Sequence, residues 1–229
     1  MHTALVTGGS AGLGLALTRA LAARGVAVVT DGRSPDALAR IDTPGVRVVP
    51  GDVADPGHRA DLVAEVEQLG GLDLLVHNAS TLGPLPMRAV RDLTAGDLHA
   101  AWLVNVAAPL ELTRALLPTL RARDGVVLSV TSDAAVEHYP TWGAYAATKA
   151  ALEHLTLTLA AEEQLTGYAV DPGDMRTRMH QDAFPGEDIS DRPEPGTVVP
   201  ALLALLDRRP PAGRYRAADV VVPAEAGSR

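Results

Sequence analysis

TALVTGGSAGLGLALTRAL, residues 3–21, changes its hydrophobic period across a glycine-rich turn. Residues 3–7 are a short apolar run, the pattern of a buried strand. From 13 to 24 the apolar positions recur at helical spacing. Between the two, Gly8, Gly12 and Gly14 stand in a G-x3-G-x-G arrangement. A strand that turns this sharply into a helix needs positive φ, which glycine tolerates. The bare turn also lets a pyrophosphate reach the backbone, and the helix N-terminus offers free N–H groups with a partial positive charge. A tight turn without a ligand is the plainer reading of three glycines. Their place in the first strand–helix unit favours the phosphate reading.

The alternation continues along the chain. Runs at 26–30, 46–49, 73–77 and 125–130 read as buried strands, brief and rich in Val and Leu. Helical patterns lie near 56–69, 92–121 and 143–164, and Asp55-Pro56 supplies a cap and a first residue for one of them. A last helix is expected at 197–207 and a last strand near 214–222. Such alternation implies a mostly parallel sheet of about seven strands covered on both faces, a doubly wound α/β fold. No Gly/Ser linker divides the 229 residues, so one domain over 1–229 is expected. Segment 182–196, DAFPGEDISDRPEPG, is acidic and rich in Pro and Gly. It reads as a solvated loop or as part of a substrate lid spanning 174–197.

Composition narrows the function classes. Hydrophobic residues make up 47% and aromatics 3%, so Ala, Val and Leu must fill the core. The absence of cysteine excludes disulfides, thiolate metal sites and a cysteine nucleophile. It fits a reducing compartment, and a cytoplasmic location is expected. A net charge of −8 disfavours a nucleic-acid binder, which would track phosphates with basic residues. The N-terminus lacks the pattern of a signal peptide, and no run approaches the eighteen or so apolar residues of a membrane span. The histidines form neither H-x3-H nor H-E-x-x-H, so no metal is expected. No G-x-S-x-G elbow points to a hydrolase.

Two later strand ends sharpen the nucleotide reading. TDGRS, 30–34, offers both Asp31 and Arg33. An acidic residue at the end of the second strand holds the ribose hydroxyls of NAD, whereas Arg pairs with the 2′-phosphate of NADP. With Gly32 in the acidic residue's place, Arg33 points to the phosphate, so NADP is favoured and NAD is the alternative. In PGDVAD, 50–55, Asp52 can accept from the adenine amino group and Val53 can pack on the ring.

The chemistry lies further on. Lys149 is the single lysine among twenty Lys and Arg residues, and Tyr145 precedes it by four, on the same helical face. A cation about 4 Å from a phenol, at an effective dielectric near 20, stabilises the phenolate by roughly 4 kcal/mol, or about three pKa units. Ser132, thirteen residues before Tyr145 and just past the fifth strand, sits where ligands of parallel sheets bind and can steady an oxyanion. The chain has two asparagines: Asn78 follows the fourth strand, and Asn105 lies inside the long helical pattern among apolar neighbours. Asn is a mediocre helix former, and a buried amide holding a water or a carbonyl is a reason for its place there.

The ordered set TGGSAGLG (7–14), Arg33, GDV (51–53), HNAS (77–80), Asn105, Ser132, YAATK (145–149) and DPGDMRT (171–177) resembles the short-chain dehydrogenase/reductase family, over roughly residues 1–180. The resemblance implies a Rossmann-type fold and an oxidoreductase acting on a small carbonyl/alcohol pair. It implies a catalytic set of Ser132, Tyr145 and Lys149, with Asn105 supporting a water-linked proton path. The cofactor contacts it implies are Thr7, Gly8, Ser10, Gly12, Leu13, Gly14, Arg33, Asp52, Val53, Asn78, Ala79, Tyr145, Lys149, Pro172, Gly173 and Thr177. It also implies a homodimer or homotetramer built through the fourth and fifth helices. His138, Tyr139, Trp142, Met175, Met179 and Phe184 are candidates for a substrate pocket. An isomerase, dehydratase or imine reductase on the same scaffold is an alternative, as is a catalytically silent NADPH-binding regulator. The chain departs from the family at His77 and Ser80, where Asn and Gly are usual, and at Gly167-Tyr168, where branched residues are usual. The interval from Lys149 to Pro172 is also a few residues short, and GRYRAADVVVP, 213–223, lacks the family's frequent Asp-Gly-Gly ending, so the departures bear on the sixth and seventh strands and the tetramer contacts more than on the active site.

Overall fold

The computed structural model describes residues 1–222. Seven parallel strands form one sheet in the order β3-β2-β1-β4-β5-β6-β7. They are β1 (Thr3–Val6), β2 (Ala27–Gly32), β3 (Val46–Pro50), β4 (Leu74–His77), β5 (Val126–Val130), β6 (Thr166–Asp171) and β7 (Gly213–Arg216). The helices are α1 (Gly12–Ala23), α2 (Pro35–Ala39), α3 (Pro56–Gln68), α4 (Ala95–Trp102), α5 (Ala108–Ala122), α6 (Gly143–Glu163), α7 (Arg178–Ala183) and α8 (Val199–Arg208). This is the Rossmann-type doubly wound architecture. Building runs outward from β1 to β3, then returns to the other side of β1 with β4. The crevice at that reversal, outside the carboxyl ends of the strands, is where such sheets bind ligands.

Successive strand residues face opposite ways, and the two faces carry separate cores. Val6, Val28, Val76 and Leu128 pack under α1 and α8 with Leu17, Leu21, Leu202 and Leu205. Leu5, Val29, Leu75 and Val127 pack under α3 and α5 with Leu62, Val66, Leu112 and Leu116. Each fully buried Leu or Val contributes about 1.5–3 kcal/mol over its exposed state. Asp55 caps α3 through the Gly57 N–H at 3.0 Å, with Pro56 in the first turn, as its sequence predicts.

Several boundaries differ from those read off the sequence. The helix expected at 92–121 begins as α4 and is interrupted by a π-helical turn, Leu103–Ala107, before α5. Asn105 stands in the middle of that turn, buried. The continuous helical run Ala95–Ala122 has the length and mean apolar content of a membrane span, although Asp97, Asn105, Glu111 and Arg114 interrupt its apolar residues. Its apolar residues Leu112, Leu116 and Leu120 instead face the second core. The last strand stops at Arg216, and residues 217–219 form a 3-10 turn. The 174–197 segment is not a featureless loop: it holds α7 and a 3-10 turn at Pro195–Thr197.

Gly167-Tyr168 has a packing reason. A Cβ at Gly167 would lie 2.5 Å from the Ala160 Cβ, so glycine lets β6 press against α6. Tyr168 is fully buried, and its hydroxyl donates to the Pro210 carbonyl at 2.8 Å.

Candidate active site

The glycine turn sits at the crevice. Gly8 has φ +70° and Gly12 φ +56°, the left-handed region. A Cβ on Gly8 would meet the Ala79 Cα at 2.9 Å; one on Gly14 would meet the Asn78 Nδ2 at 2.4 Å and the Gly8 carbonyl oxygen at 2.5 Å. The turn is stitched to the end of β4. The Thr7 hydroxyl accepts from the Asn78 and Ala79 N–H groups at 3.1 Å each. The Asn78 amide donates to the Thr7 carbonyl at 2.9 Å and the Gly8 carbonyl at 3.2 Å. Ala11 caps α1 without any side-chain hydrogen bond, and no acidic residue occupies the first turn. The first N–H groups therefore remain open toward an anion. A backbone cradle that Cβ atoms would fill, facing an uncapped helix N-terminus, fits a dinucleotide pyrophosphate.

At the end of β2, Asp31 is 1% exposed. Its Oδ1 accepts from the Gly8 N–H at 2.6 Å, and its Oδ2 lies 2.9 Å from His58 Nε2. Both oxygens serve the protein, so this carboxylate braces the turn rather than standing free for a ribose. His58 needs the bare backbone of Gly51, whose Cβ would fall 2.1 Å from its Nδ1. Arg33 is exposed on the cleft wall. Asp52 and Val53 line the same wall, with the Asp52 carboxylate holding the Ala54 N–H at 2.9 Å.

At the other end of the cleft, α6 brings Tyr145 and Lys149 together on one face, 7% and 2% exposed. The Lys149 ammonium lies 5.5 Å from the centre of the Tyr145 ring and donates to the Val130 carbonyl at 2.7 Å. Burial pulls the ammonium down to about 7. Burial also pushes the Tyr145 phenol above its ordinary value, and the Ser132 hydroxyl opposes that rise. The charges of Asp133 and Asp171 add to it. Burial thus works against the lowering of the phenol that the sequence leads one to expect from Lys149. Both groups are withdrawn from water, and desolvation disfavours the charged form of each. The same burial and the nearby Lys149 hold His77 neutral, at about 3. Its Nε2 lies 2.7 Å from the Thr113 hydroxyl of α5.

The model of the short chain dehydrogenases matches residues 2–188. The chain belongs to the short-chain dehydrogenase/reductase family. This is a family of oxidoreductases. A short chain dehydrogenase of Pseudocercospora fijiensis is 36% identical over 193 residues, covering 77% of this chain and 60% of its own length. The chain thus spans less than two thirds of that relative. An uncharacterized oxidoreductase of Schizosaccharomyces pombe, C30D10.05c, is 33% identical over 179 residues, 76% of this chain and 71% of that one. Among solved structures, a Shigella flexneri protein complexed with NADP has a TM-score of 0.85 at 28% identity, covering 95% of this chain and 97% of that one. An Escherichia coli CFT073 protein complexed with NADPH has a TM-score of 0.83 at 28% identity, covering 94% and 96%.

In this short-chain dehydrogenase/reductase, one cleft of about 1160 Å³ runs from the glycine turn to Tyr145. Gly8, Ser10, Gly12, Leu13, Arg33, Asp52, Val53, Asn78, Ala79, Ser132, Tyr145, Lys149, Pro172, Gly173 and Thr177 all line it. Thr7, Gly14 and Asn105 do not line it but shape it from behind. The Asn105 amide accepts from the Thr81 N–H at 2.9 Å and the Ser80 hydroxyl at 3.2 Å, and donates to the Thr81 carbonyl and the Thr148 hydroxyl at 2.8 Å each. It therefore ties the 80–81 loop to the helix of Tyr145. Of the pocket candidates, Tyr139, Trp142, Met175, Met179 and Phe184 line the cleft, and His138 does not.

Three further residues bear on the site. Asp133 accepts the Ser132 hydroxyl at 2.9 Å, and its position directly after Ser132 was the available signal. The Asp31–His58 pair had no local signal, because its partners come from β2 and α3. Arg214 on β7 contacts Glu153 at 3.1 Å, the Ser132 carbonyl at 3.2 Å and Asp171 at 3.6 Å. Its distance in sequence from all three hid it.

Proposed function

We propose that this chain is an NADP(H)-dependent oxidoreductase transferring hydride between the nicotinamide and a ketone/alcohol pair, with Tyr145 as acid and base. The observation that carries the reading is one cleft holding an open backbone cradle at one end and the buried Tyr145–Lys149 pair with Ser132 at the other. The NADP and NADPH complexes of similar proteins support the cofactor assignment. Gly8, Ser10, Gly12 and Leu13 hold the pyrophosphate, while Thr7 and Gly14 keep the turn in shape. Arg33 meets the 2′-phosphate, and Asp52 and Val53 meet the adenine. Asn78 and Ala79 flank the middle of the cofactor, Tyr145 and Lys149 its second ribose, and Pro172, Gly173 and Thr177 the nicotinamide.

When bound, the nicotinamide supplies or accepts the hydride. In reduction, Tyr145 donates its proton to the carbonyl oxygen. Its raised pKa keeps the phenol protonated, and so able to act as an acid, at neutral pH. Ser132 holds the same oxygen as charge develops. Lys149, drawn to about 7, sits where a group both gives and takes protons readily and can reload the phenol. Asn105 fixes Thr148 and the 80–81 loop, so the proton path keeps its walls. Oxidation runs the steps in reverse. Segment 174–197 acts as a lid over the substrate end, and the whole chain works as one domain. The exposed apolar residues Leu98, Trp102 and Leu103 belong to a contact between copies in a homo-oligomer.

The test is a ketone panel with NADPH deuterated at C4, comparing the native chain with Tyr145→Phe. The label is expected in the product alcohol, and the variant is expected to lose about 10²–10⁴-fold in kcat while keeping its fold. Turnover without label in the product would point to a non-redox reaction. Native-like turnover in the variant would remove Tyr145 from the mechanism.

A further inference from the structure

We propose that the substrate end of the cleft selects carbonyl compounds bearing a positive charge close to the reacting carbon, such as an ammonium group. The cation would lie between the Asp133 carboxylate and the aromatic cluster of Tyr139, Trp142 and Phe184. The proposal rests on the oxidoreductase reading above and names its substrate class.

Asp171, Asp174, Asp182 and Glu194 line this half of the cleft, and each faces an arginine: Arg214, Arg192, Arg178 and Arg176 respectively. Asp133 also lines it, yet among the described residues its partners are neutral donors. The Ser132 hydroxyl and the Ala134 N–H reach its Oδ1 at 2.9 and 2.8 Å, and the Tyr139 hydroxyl reaches its Oδ2 at 2.8 Å. These bonds fix the carboxylate in place without neutralising it.

The chain has two Trp, four Tyr and one Phe, seven in all, and four of them gather here. The Trp142 ring lies 6.2 Å from Tyr139, 5.6 Å from Tyr145 and 5.9 Å from Phe184. Aromatic rings attract organic cations through their quadrupoles, more strongly when water is excluded. A carboxylate beside such a cluster is a receptor for a cation rather than for a neutral ketone.

The chemistry agrees. A negative charge beside Ser132 and Tyr145 opposes the oxyanion that forms on the substrate and the phenolate that forms on the enzyme. It also engages the Ser132 proton that a carbonyl oxygen needs. A substrate cation at Asp133 cancels the field and weakens the hold on that proton. A neutral substrate does neither, so the discrimination extends to the transition state.

The experiment uses two ketones of the same shape, acetonyltrimethylammonium and 4,4-dimethylpentan-2-one, with NADPH. The ratio of their kcat/KM values is measured in the native chain, Asp133→Asn and Asp133→Ser. Intrinsic reactivity is the same for every protein and cancels in the comparison. The cationic preference is expected to fall by about tenfold or more in both variants; a ratio unchanged within about twofold, set against that tenfold, overturns the proposal. A second arm needs no turnover. Choline and 3,3-dimethylbutan-1-ol are titrated against the NADP⁺ complex by Trp142 fluorescence in a Trp102→Phe background. Choline is expected to bind about tenfold more tightly, and Asp133→Asn to abolish the difference. Equal affinities overturn the proposal. Selective choline binding with no turnover of either ketone would support the cation pocket and count against the ketone reductase reading.

Discussion

Lys149 lies 5.5 Å from the centre of the Tyr145 ring, yet its hydrogen bond goes to the Val130 carbonyl. A buried ammonium with one backbone acceptor is a strained arrangement electrostatically. The fold pulls its pKa from 10.5 to about 7 because charge is disfavoured away from water. Such a penalty fits the proton-transfer role proposed for Lys149.

Lys149→Met should separate the two. Methionine keeps much of the volume and removes the buried charge, so the variant should melt higher than the native chain at pH 7. The penalty removed is of the order of a few kcal/mol, which corresponds to several degrees in a domain of this size. Turnover should fall by about 10² or more, as for loss of a general acid–base group. Thermal melts and initial rates on the same preparations check both. A lower melting temperature would mean that the Val130 bond outweighs the desolvation.

The same shift fixes a pH dependence. Between about 7 and 10.5 the unfolded chain keeps a proton on this lysine that the folded chain has released. Stability therefore rises with pH across that window, and below it the full penalty stands. Tyr145, whose folded pKa is raised, acts oppositely: its contribution is present below about 10 and is lost above. The advantage of Lys149→Met should thus be largest below about pH 7 and shrink towards pH 10. Denaturant titrations at four pH values would reveal it; a constant difference would show that the lysine stays charged throughout.

The fold was legible because its signals are local. The switch of period around Gly8 and Gly12 marks β1 and α1, and Asp55-Pro56 marks the start of α3. The order of Ser132, Tyr145 and Lys149 along the chain resembles a family, and the cleft gathers all three. What the sequence concealed depends on distance or on medium. Asp31 stood beside Arg33 as the acidic alternative at the end of β2, and only the fold shows its oxygens holding Gly8 and His58. Arg214 contacts residues 43 to 82 positions away. The direction of the Tyr145 shift is set by burial, and a spacing of four residues carries no information on burial.

Arg33 offers the next test. With Asp31 engaged, Arg33 is the charged side chain at the end of β2 that reaches the cleft freely. Arg33→Ala should weaken NADPH by about tenfold or more, the order of a charge-assisted phosphate contact, and leave NADH nearly unchanged. Kd values for both cofactors by nucleotide fluorescence decide it. Equal losses would place Arg33 in the general shape of the site, away from the 2′-phosphate.

Arg214 joins three parts of the site with one side chain: Glu153 one turn beyond Lys149, the Ser132 carbonyl, and Asp171 at the start of the loop carrying Pro172 and Gly173. Asp171 is 4% exposed, and its other cation, Arg216, stands farther off at 3.9 Å. Removing the guanidinium leaves a nearly uncompensated buried carboxylate, a loss of about 3–5 kcal/mol for a pair broken on one side. Asp171 already raises the Tyr145 pKa, and Arg214 offsets that charge. In Arg214→Met the phenol should therefore ionise at higher pH, moving the rising limb of the alcohol-oxidation profile upward. Arg214→Lys restores a charge but not the fork, so it should recover the position of that limb while recovering little of the stability that the three-way contact provides. The pH profiles and melting temperatures of the two variants distinguish the roles. A destabilised Arg214→Met with an unmoved pH limb would reduce Arg214 to a brace with no influence on Tyr145.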